Sequence, residues 1–422
     1  MRRKYEICWL AWLLVLLTTT ALGQAPVATL VGRVSDPSQA NVAGASITIR
    51  NNATNETRTV KSGVSGQYTI SNLAPGTYTV TISMPGFAEL REDNLVLTAE
   101  QTARLDTALK IGTTSETVNV TADVGLLNTE TSSKGDLITP VEIAEIPLNG
   151  RDFNDLAFTV AGVQPAEQNA KGAPYVANGS RADSSGVFID GINDESPRDA
   201  GSQISPPLDS LQEFKMETSG YTAQYGRLSG SVVTMVTKSG GNQFHGSLFE
   251  FLRNDIFDAA PYNFTNIAVP KTKLRKNQFG GTLGGPIKKD KMFFFVNYEG
   301  IWQLLAQTRI ATVPNAASRT PSFPRATNPT TYDAIVNTLA IYPMPTFNFR
   351  PIPGTSLGTG QATEVASQTA HEHYFLARFD YTVSAKDSFL ARYLFDKQHV
   401  IDPYTGGNGN AASGFLPFWP ER

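Results

Sequence analysis

The 422-residue sequence predicts a mainly β protein: an N-terminal β-sandwich, a mixed α+β middle and the start of an antiparallel transmembrane β-barrel. Three observations predict it. The 35 Gly and 25 Pro, together with many Thr, Ser and Asn, disfavour long helices and suit strands joined by turns. Short alternating runs punctuated by Gly, Pro and Asn fill residues 28–111 at the spacing of a sandwich. Beyond residue 243 the runs lengthen towards the roughly 9–11 residues that cross a bilayer at a tilt. A charged content of 17% beside 41% hydrophobic residues excludes wholesale disorder. The formal charge of −3, with no basic block, argues against nucleic acid as a partner.

The first element is an export signal over residues 1–23. Arg2, Arg3 and Lys4 form a positive start, residues 7–17 an apolar run, and Ala21-Leu22-Gly23 a small-residue cleavage site. The run is far shorter than the roughly 20 residues of a spanning helix. The only cysteine, Cys8, lies in that run, so the mature chain carries no disulfide.

Residues 24–112 form the sandwich. In "GTYTVTIS" Tyr78, Val80 and Ile82 share one face while Thr77, Thr79, Thr81 and Ser83 share the other, the pattern of a half-buried strand. Gly66-x-Tyr68, Leu73-x-Pro75-Gly76-x-Tyr78, the closing Gly86-Phe87 and the opening Gly32-x-Val34-x-Asp36 together resemble the carboxypeptidase regulatory-like domain. That resemblance implies a transthyretin-like, immunoglobulin-like sandwich and assigns no catalytic residue.

Residues 113–129 are a linker containing "ETVNVTA". Glu116, Thr117, Val118, Val120, Thr121 and Ala122 resemble the TonB box of TonB-dependent outer-membrane receptors. Such a box is an extended strand that pairs with the sheet edge of a partner. The same residues can also serve as the last strand of the sandwich. Residues 130–240 resemble the receptor plug domain. "IPLNGRDFNDLAFTVAGVQP" suggests a loop and a short helix with Asp152 as N-cap, and "GSRADSSGVFIDGIND" a strand ending in the Asp190-Gly191 turn. "LDSLQEFKMETSGYTAQYGRLSGSVVTMVTKSGG" suggests the closing helix, strand, loop and terminal strand, with wording nearest the Oar-like branch of the family.

Asp190, Asp194, Glu195 and Asp199 form an acidic cluster expected to be a solvated loop. Their spacing lacks the Gly and Glu register of a calcium loop. His371-x-His373 has no third ligand nearby in sequence and is expected at a loop rim. No nucleophile elbow, P-loop or H-E-x-x-H is present, so neither an enzymatic activity, a metal nor a cofactor is expected.

The barrel is expected from residue 243 to residue 422, with strands over 244–254, 276–286, 291–302, 372–383 and 388–398. The connections alternate long and short, as external loops and periplasmic turns do. In the fourth strand Phe375, Ala377, Phe379, Tyr381 and Val383 oppose Arg378, Asp380 and Thr382; in the fifth Phe389, Ala391, Tyr393 and Phe395 oppose Ser388, Arg392 and Asp396. Aromatics on one side and charges on the other suit lipid outside and a lumen inside, with Glu299, Arg378, Asp380, Arg392 and Asp396 as lumen-facing candidates. An open sheet edge is not tolerated in lipid. An odd set of five strands ending at "FLPFWPER" therefore suggests a stretch of a longer receptor.

The resemblance implies a TonB-dependent outer-membrane receptor of a Gram-negative bacterium, sandwich in the periplasm, with TonB, outer-membrane lipid and an external ligand as partners. The ligand is unknown: a carbohydrate, a peptide or a metal chelate. The competing readings are an outer-membrane adhesin or structural surface protein without transport, and a soluble carbohydrate-binding protein.

Overall fold

The computed structural model describes residues 26–112, 117–121, 130–148, 150–167, 170–198, 200–259, 271–340, 342, 344–345, 347–353, 356–384 and 387–401. The signal segment, Glu116, Ala122, Asp199 and residues 402–422 lie outside them. Two compact units share the chain. One comprises Met1–Ser247, Gly281–Tyr298 and Tyr374–Asp396; the other comprises Leu248–Gly280, Glu299–His373 and Lys397–Arg422.

The sandwich is built from β1 (Ala28–Ser35), β2 (Ser46–Asn51), β3 (Thr57–Lys61), β4 (Gln67–Leu73), β5 (Gly76–Ser83), β6 (Glu89–Leu97), β7 (Thr102–Arg104), β8 (Thr107–Ala108) and β9 (Thr117–Thr121). One sheet runs β4-β1-β7, with β8 also on β1, and the other runs β3-β2-β5-β6-β9. Alternation drives the packing: Leu30, Ile47, Ile49, Val80, Ile82 and Leu97 are all essentially inaccessible and fill the space between the sheets. The glycine opening the Gly32-x-Val34 motif has a steric cause. A Cβ at Gly32 would lie 2.0 Å from the Leu105 carbonyl oxygen and 2.7 Å from the Tyr68 hydroxyl. That close approach lets Tyr68 donate to the Leu105 oxygen at 2.7 Å and tie the two chain segments together. Tyr78 likewise donates to the Ala74 oxygen at 2.6 Å, and burial pushes its hydroxyl up to about 12.

The middle region contains β10 (Lys134–Ile138), α1 (Pro140–Glu145), β11 (Val163–Pro165), β12 (Tyr175–Ala177), β13 (Gly186–Ile189), β14 (Ile192–Asn193), β15 (Leu211–Ser219) and β16 (Val232–Thr237). Its main sheet is ordered β10-β15-β16-β13-β14. Thr139 and Glu142 close a capping box at the start of α1, and Pro140 stands in its first turn. Asp152 accepts from the Asn154 N–H, but the turn it caps, Phe153–Thr159, is 3-10 rather than α-helical. The expected closing helix also contracts to a 3-10 turn, Leu208–Ser210. From Leu211 the chain becomes β15, because its backbone pairs with both β10 and β16 while Phe214 and Met216 enter the core. Every residue of β16 is buried, so it is covered on both faces.

The third region consists of β17 (His245–Asn254), β18 (Leu274–Lys288), β19 (Met292–Pro314), α2 (Pro329–Ala340), β20 (Phe347–Pro351), β21 (Gly358–Thr382) and β22 (Ser388–Ile401). The order is β17-β18-β19-β21-β20, with β22 also on β21. Three expectations are corrected. β19 and β21 run to 23 and 25 residues, far beyond 291–302 and 372–383. Residues 303–371 are not a plain loop, for they hold both strand extensions, α2 and β20. The sheet thus has a sixth member. The β21 extension "GTGQATEVASQTA" is small or polar on both faces, and the β19 extension has apolar residues on both faces, Leu304 and Ala306 on one and Leu305 and Val313 on the other, so neither carries a one-sided apolar alternation by which to be recognised.

Candidate functional site

The site grows from the β13–β14 hairpin. Ile189 pairs with Ile192 across a two-residue turn made by Asp190 (φ 47°) and Gly191 (φ 80°), the Asp-Gly chemistry such turns require. The Asp190 N–H donates to the Met235 oxygen at 2.9 Å, which locks the turn against β16. Its carboxylate accepts from the Thr237 N–H at 2.8 Å and from the Thr237 hydroxyl at 2.7 Å.

Two arginines from β21 and β22 complete the group. The Arg392 guanidinium donates to the Asp190 carboxylate and, at 3.2 Å, to the Ile189 oxygen. Arg378 donates to the Thr237 oxygen at 2.7 Å and stands 3.7 Å from the Asp190 carboxylate. Asp380, two residues along β21 and therefore on the same face, holds Arg378 in a fork with two contacts of 2.9 Å. The side chains of Asp190, Arg392 and Arg378 are only 4%, 8% and 10% exposed. Two guanidiniums and two carboxylates thus meet in one largely buried group, of which Asp380 is the most exposed member at 23%. Ile204 packs against the apolar cluster of Phe295, Tyr374 and Leu376.

Asp194 sits in the next turn, accepting from the Ser202 hydroxyl and, at 3.1 Å, from the Ile204 N–H. Burial raises its carboxyl above the usual range. Lys238, which directly follows Thr237 and lies beside the Arg151–Asp209 ion pair, is pushed down by burial. Asp190 and Asp194 are therefore not a solvated loop: both are buried and bonded, Asp190 because Thr237 of β16 and Arg392 of β22 supply its partners, and Asp194 because Ser202 and Ile204 fold back on it. Glu195 is paired with the exposed Arg227.

The other predicted residues are placed as follows. Asp396 reaches the backbone of Ser205, near the Asp194 turn. Glu299 is buried in the second unit and accepts from Gln278 at 2.9 Å. His371 stands beside Trp302 with ring centres 6.2 Å apart. Thr117, Val118, Val120 and Thr121 lie on β9, whose backbone pairs in parallel with β6 from Glu89↔Thr117 to Asp93↔Thr121. Sequence reasoning missed Thr237 and the anchoring role of Asp190. The available signal was an Asp-Gly turn together with arginines alternating with aromatics on two later strands.

What this arrangement can do follows from the electrostatics. A charge pair about 4 Å apart attracts by about 4 kcal/mol in partly buried surroundings but by only about 1 kcal/mol in water.

The comparisons agree with this architecture. Residues 29–110 match the family model of the carboxypeptidase regulatory-like domain, and residues 236–417 that of the outer membrane beta barrel domain. Over 269 residues the chain is 29% identical to the TonB-dependent transporter Oar of Myxococcus xanthus. The chain is a homologue of that transporter. The match covers 60% of this chain and 24% of the Oar chain, so the sequence spans about a quarter of its relative. Among solved structures it is similar to the outer membrane transporter YddB of Escherichia coli, with 13% identity, a TM-score of 0.39, and 63% of this chain and 33% of that one covered. It is also similar to the siderophore receptor PirA of Acinetobacter baumannii, with 13% identity, a TM-score of 0.31, and coverage of 61% and 43%.

Proposed function

We propose that this protein is a TonB-dependent outer-membrane receptor in which the middle region plugs a barrel and is held there by Asp190. The observation that carries the reading is the grip of Arg378 and Arg392, from two neighbouring strands of the outer membrane β-barrel domain, on one buried carboxylate of the middle region. In this reading the aromatic faces of β21 and β22 meet lipid, the sandwich lies in the periplasm, and an external ligand wets or displaces the Asp190 group. TonB then pairs with β9 and pulls. Among the described residues β9 stands at the end of its sheet order, with one edge unpaired, which supports that role. The ligand is a large molecule bound by external loops, of carbohydrate, peptide or metal-chelate chemistry.

The test combines location with a backbone substitution. Val118→Pro removes an N–H needed for strand pairing. In the outer-membrane fraction of cells that require the receptor to grow on complex carbohydrate or peptide, the variant should be as abundant as wild type yet fail to support growth. An adhesin or structural surface protein would keep its surface attachment with Val118→Pro, and a soluble binding protein would fractionate with the periplasm.

A further inference from the structure

The sheet of the middle region has a second face that the Asp190 group does not use. On β15, Phe214 and Met216 enter the core while Glu213, Lys215 and Glu217 point the other way. A charged face of this kind is ordinarily wet. Here Glu213 is 5% and Glu217 6% exposed. The cover is the turn between β6 and β7 of the sandwich. The Ala99 N–H donates to the Glu213 carboxylate at 2.8 Å, and Ala99 is itself fully buried. Glu100, held at φ 58°, accepts from the Tyr225 hydroxyl and lies 3.8 Å from Lys215, which also pairs with Glu217 at 3.0 Å.

The sandwich has a second attachment. Its β2–β3 turn offers the Ala53 oxygen to the Asn242 N–H at 2.9 Å, and Asn55 donates to the Asp290 carboxylate at 2.9 Å. Asp290, in the turn between β18 and β19, also exchanges two bonds of 2.8 Å with Asn242. The sandwich thus grips the plug sheet at one point and the β18–β19 turn of the barrel domain at another.

We infer that the sandwich is a strap across the plug and the barrel turn, seated by the Ala99–Glu100 turn on Glu213 and loosened when Glu213 ionises. The charged and titratable groups facing Glu213 are Lys215 and Glu217 along its own strand, Glu100 from the sandwich and Tyr225 from the following turn. Among the described residues, the strands paired directly with β15 bring Gly135, Leu137, Val232, Thr234 and Val236 to this face, none of them charged. Burial pushes the Glu213 carboxyl up from 4.5 to about 7, against the smaller opposing pull of the Ala99 N–H and Lys215. A raised carboxyl favours the seated state fully below the unseated value and loses that contribution as pH climbs through the seated one. Seating should therefore be tight in acid and weaken by about 20-fold between pH 5.5 and 7.5.

The inference rests on the proposed function only in treating the middle region as the part that moves, and its test does not involve uptake. Hydrogen–deuterium exchange of the full chain in detergent, corrected for intrinsic rates, would follow the Ala99 amide, with the Val80 amide inside the sandwich as internal control. Ala99 protection should fall about 20-fold from pH 5.5 to 7.5 while Val80 stays constant. Glu213→Gln should keep the Ala99 bond and abolish the pH response. Asp290→Gly, which suits the local φ of 63° and removes the second grip, should lower Ala99 protection at least threefold. Should Glu213→Gln fail to fold, Glu100→Gln serves instead: it should lower protection yet retain the pH response. Unprotected Ala99 at both pH values, a pH response surviving in Glu213→Gln or lost in Glu100→Gln, or an Asp290→Gly variant without effect would each overturn the strap.

Discussion

Replacing Asp190 with Asn removes the charge at the centre of the site. Asparagine tolerates the left-handed backbone at φ 47° and can keep the Thr237 N–H bond with its one oxygen, while an amide nitrogen replaces the oxygen that accepts from the Thr237 hydroxyl and Arg392, so backbone strain is not the variable. What changes is that Arg392 and Arg378, 8% and 10% exposed, lose the carboxylate they share, leaving Asp380 to serve one of them. Breaking a buried pair by neutralising one partner costs about 3–5 kcal/mol, chiefly from the uncompensated charge left behind. Taking about 3 kcal/mol, local opening of the Asp190 turn should become about 150-fold more frequent, at about 1.4 kcal/mol per decade. The assay is exchange at the Asp190 and Thr237 amides in the full chain, since both are bonded within this group. A cycle with Arg392→Gln should show a coupling of about 1.5–3 kcal/mol. A change of less than about twofold, or strict additivity in the cycle, would refute the reasoning.

Two further substitutions test the sandwich. Gly32→Ala forces a methyl group against the Leu105 oxygen, breaking the tie made by Tyr68. It should destabilise the sandwich by about 2 kcal/mol and lower its melting temperature by roughly 10 °C, read by calorimetry. Val118→Pro, besides its effect on growth, should raise exchange along β6 between Glu89 and Asp93, where β9 pairs, and leave β5 protected.

How much was legible in the sequence depended on the range over which each signal acts. Period-two alternation is local, so the β class, the buried face of Tyr78, Val80 and Ile82, and the side of β21 that carries Arg378 could all be read directly. The Asp190-Gly191 hairpin was equally local. The role of Asp190 was not, because its cations stand far away in sequence on β21 and β22, and a buried acid with distant partners looks in sequence like a wet one. The same holds for Glu213, whose cover comes from the sandwich. The reach of β19 and β21 was not legible because hydrogen bonding to neighbouring strands, not a one-sided apolar face, sustains their ends. Leu208–Ser210 illustrates the opposite error, in which a helix-like start was overridden by pairing of the residues that follow.

The central claim is that an energy-coupling partner takes hold of β9 and draws on a plug fastened at Asp190. Its most direct test places a photo-crosslinking residue at Asn119 of the full chain in living cells with an intact inner-membrane proton gradient, and probes for an adduct with TonB. The account predicts an adduct that Val118→Pro abolishes and that becomes more abundant with Asp190→Asn. Absence of any adduct in cells whose outer membranes contain the protein would contradict it.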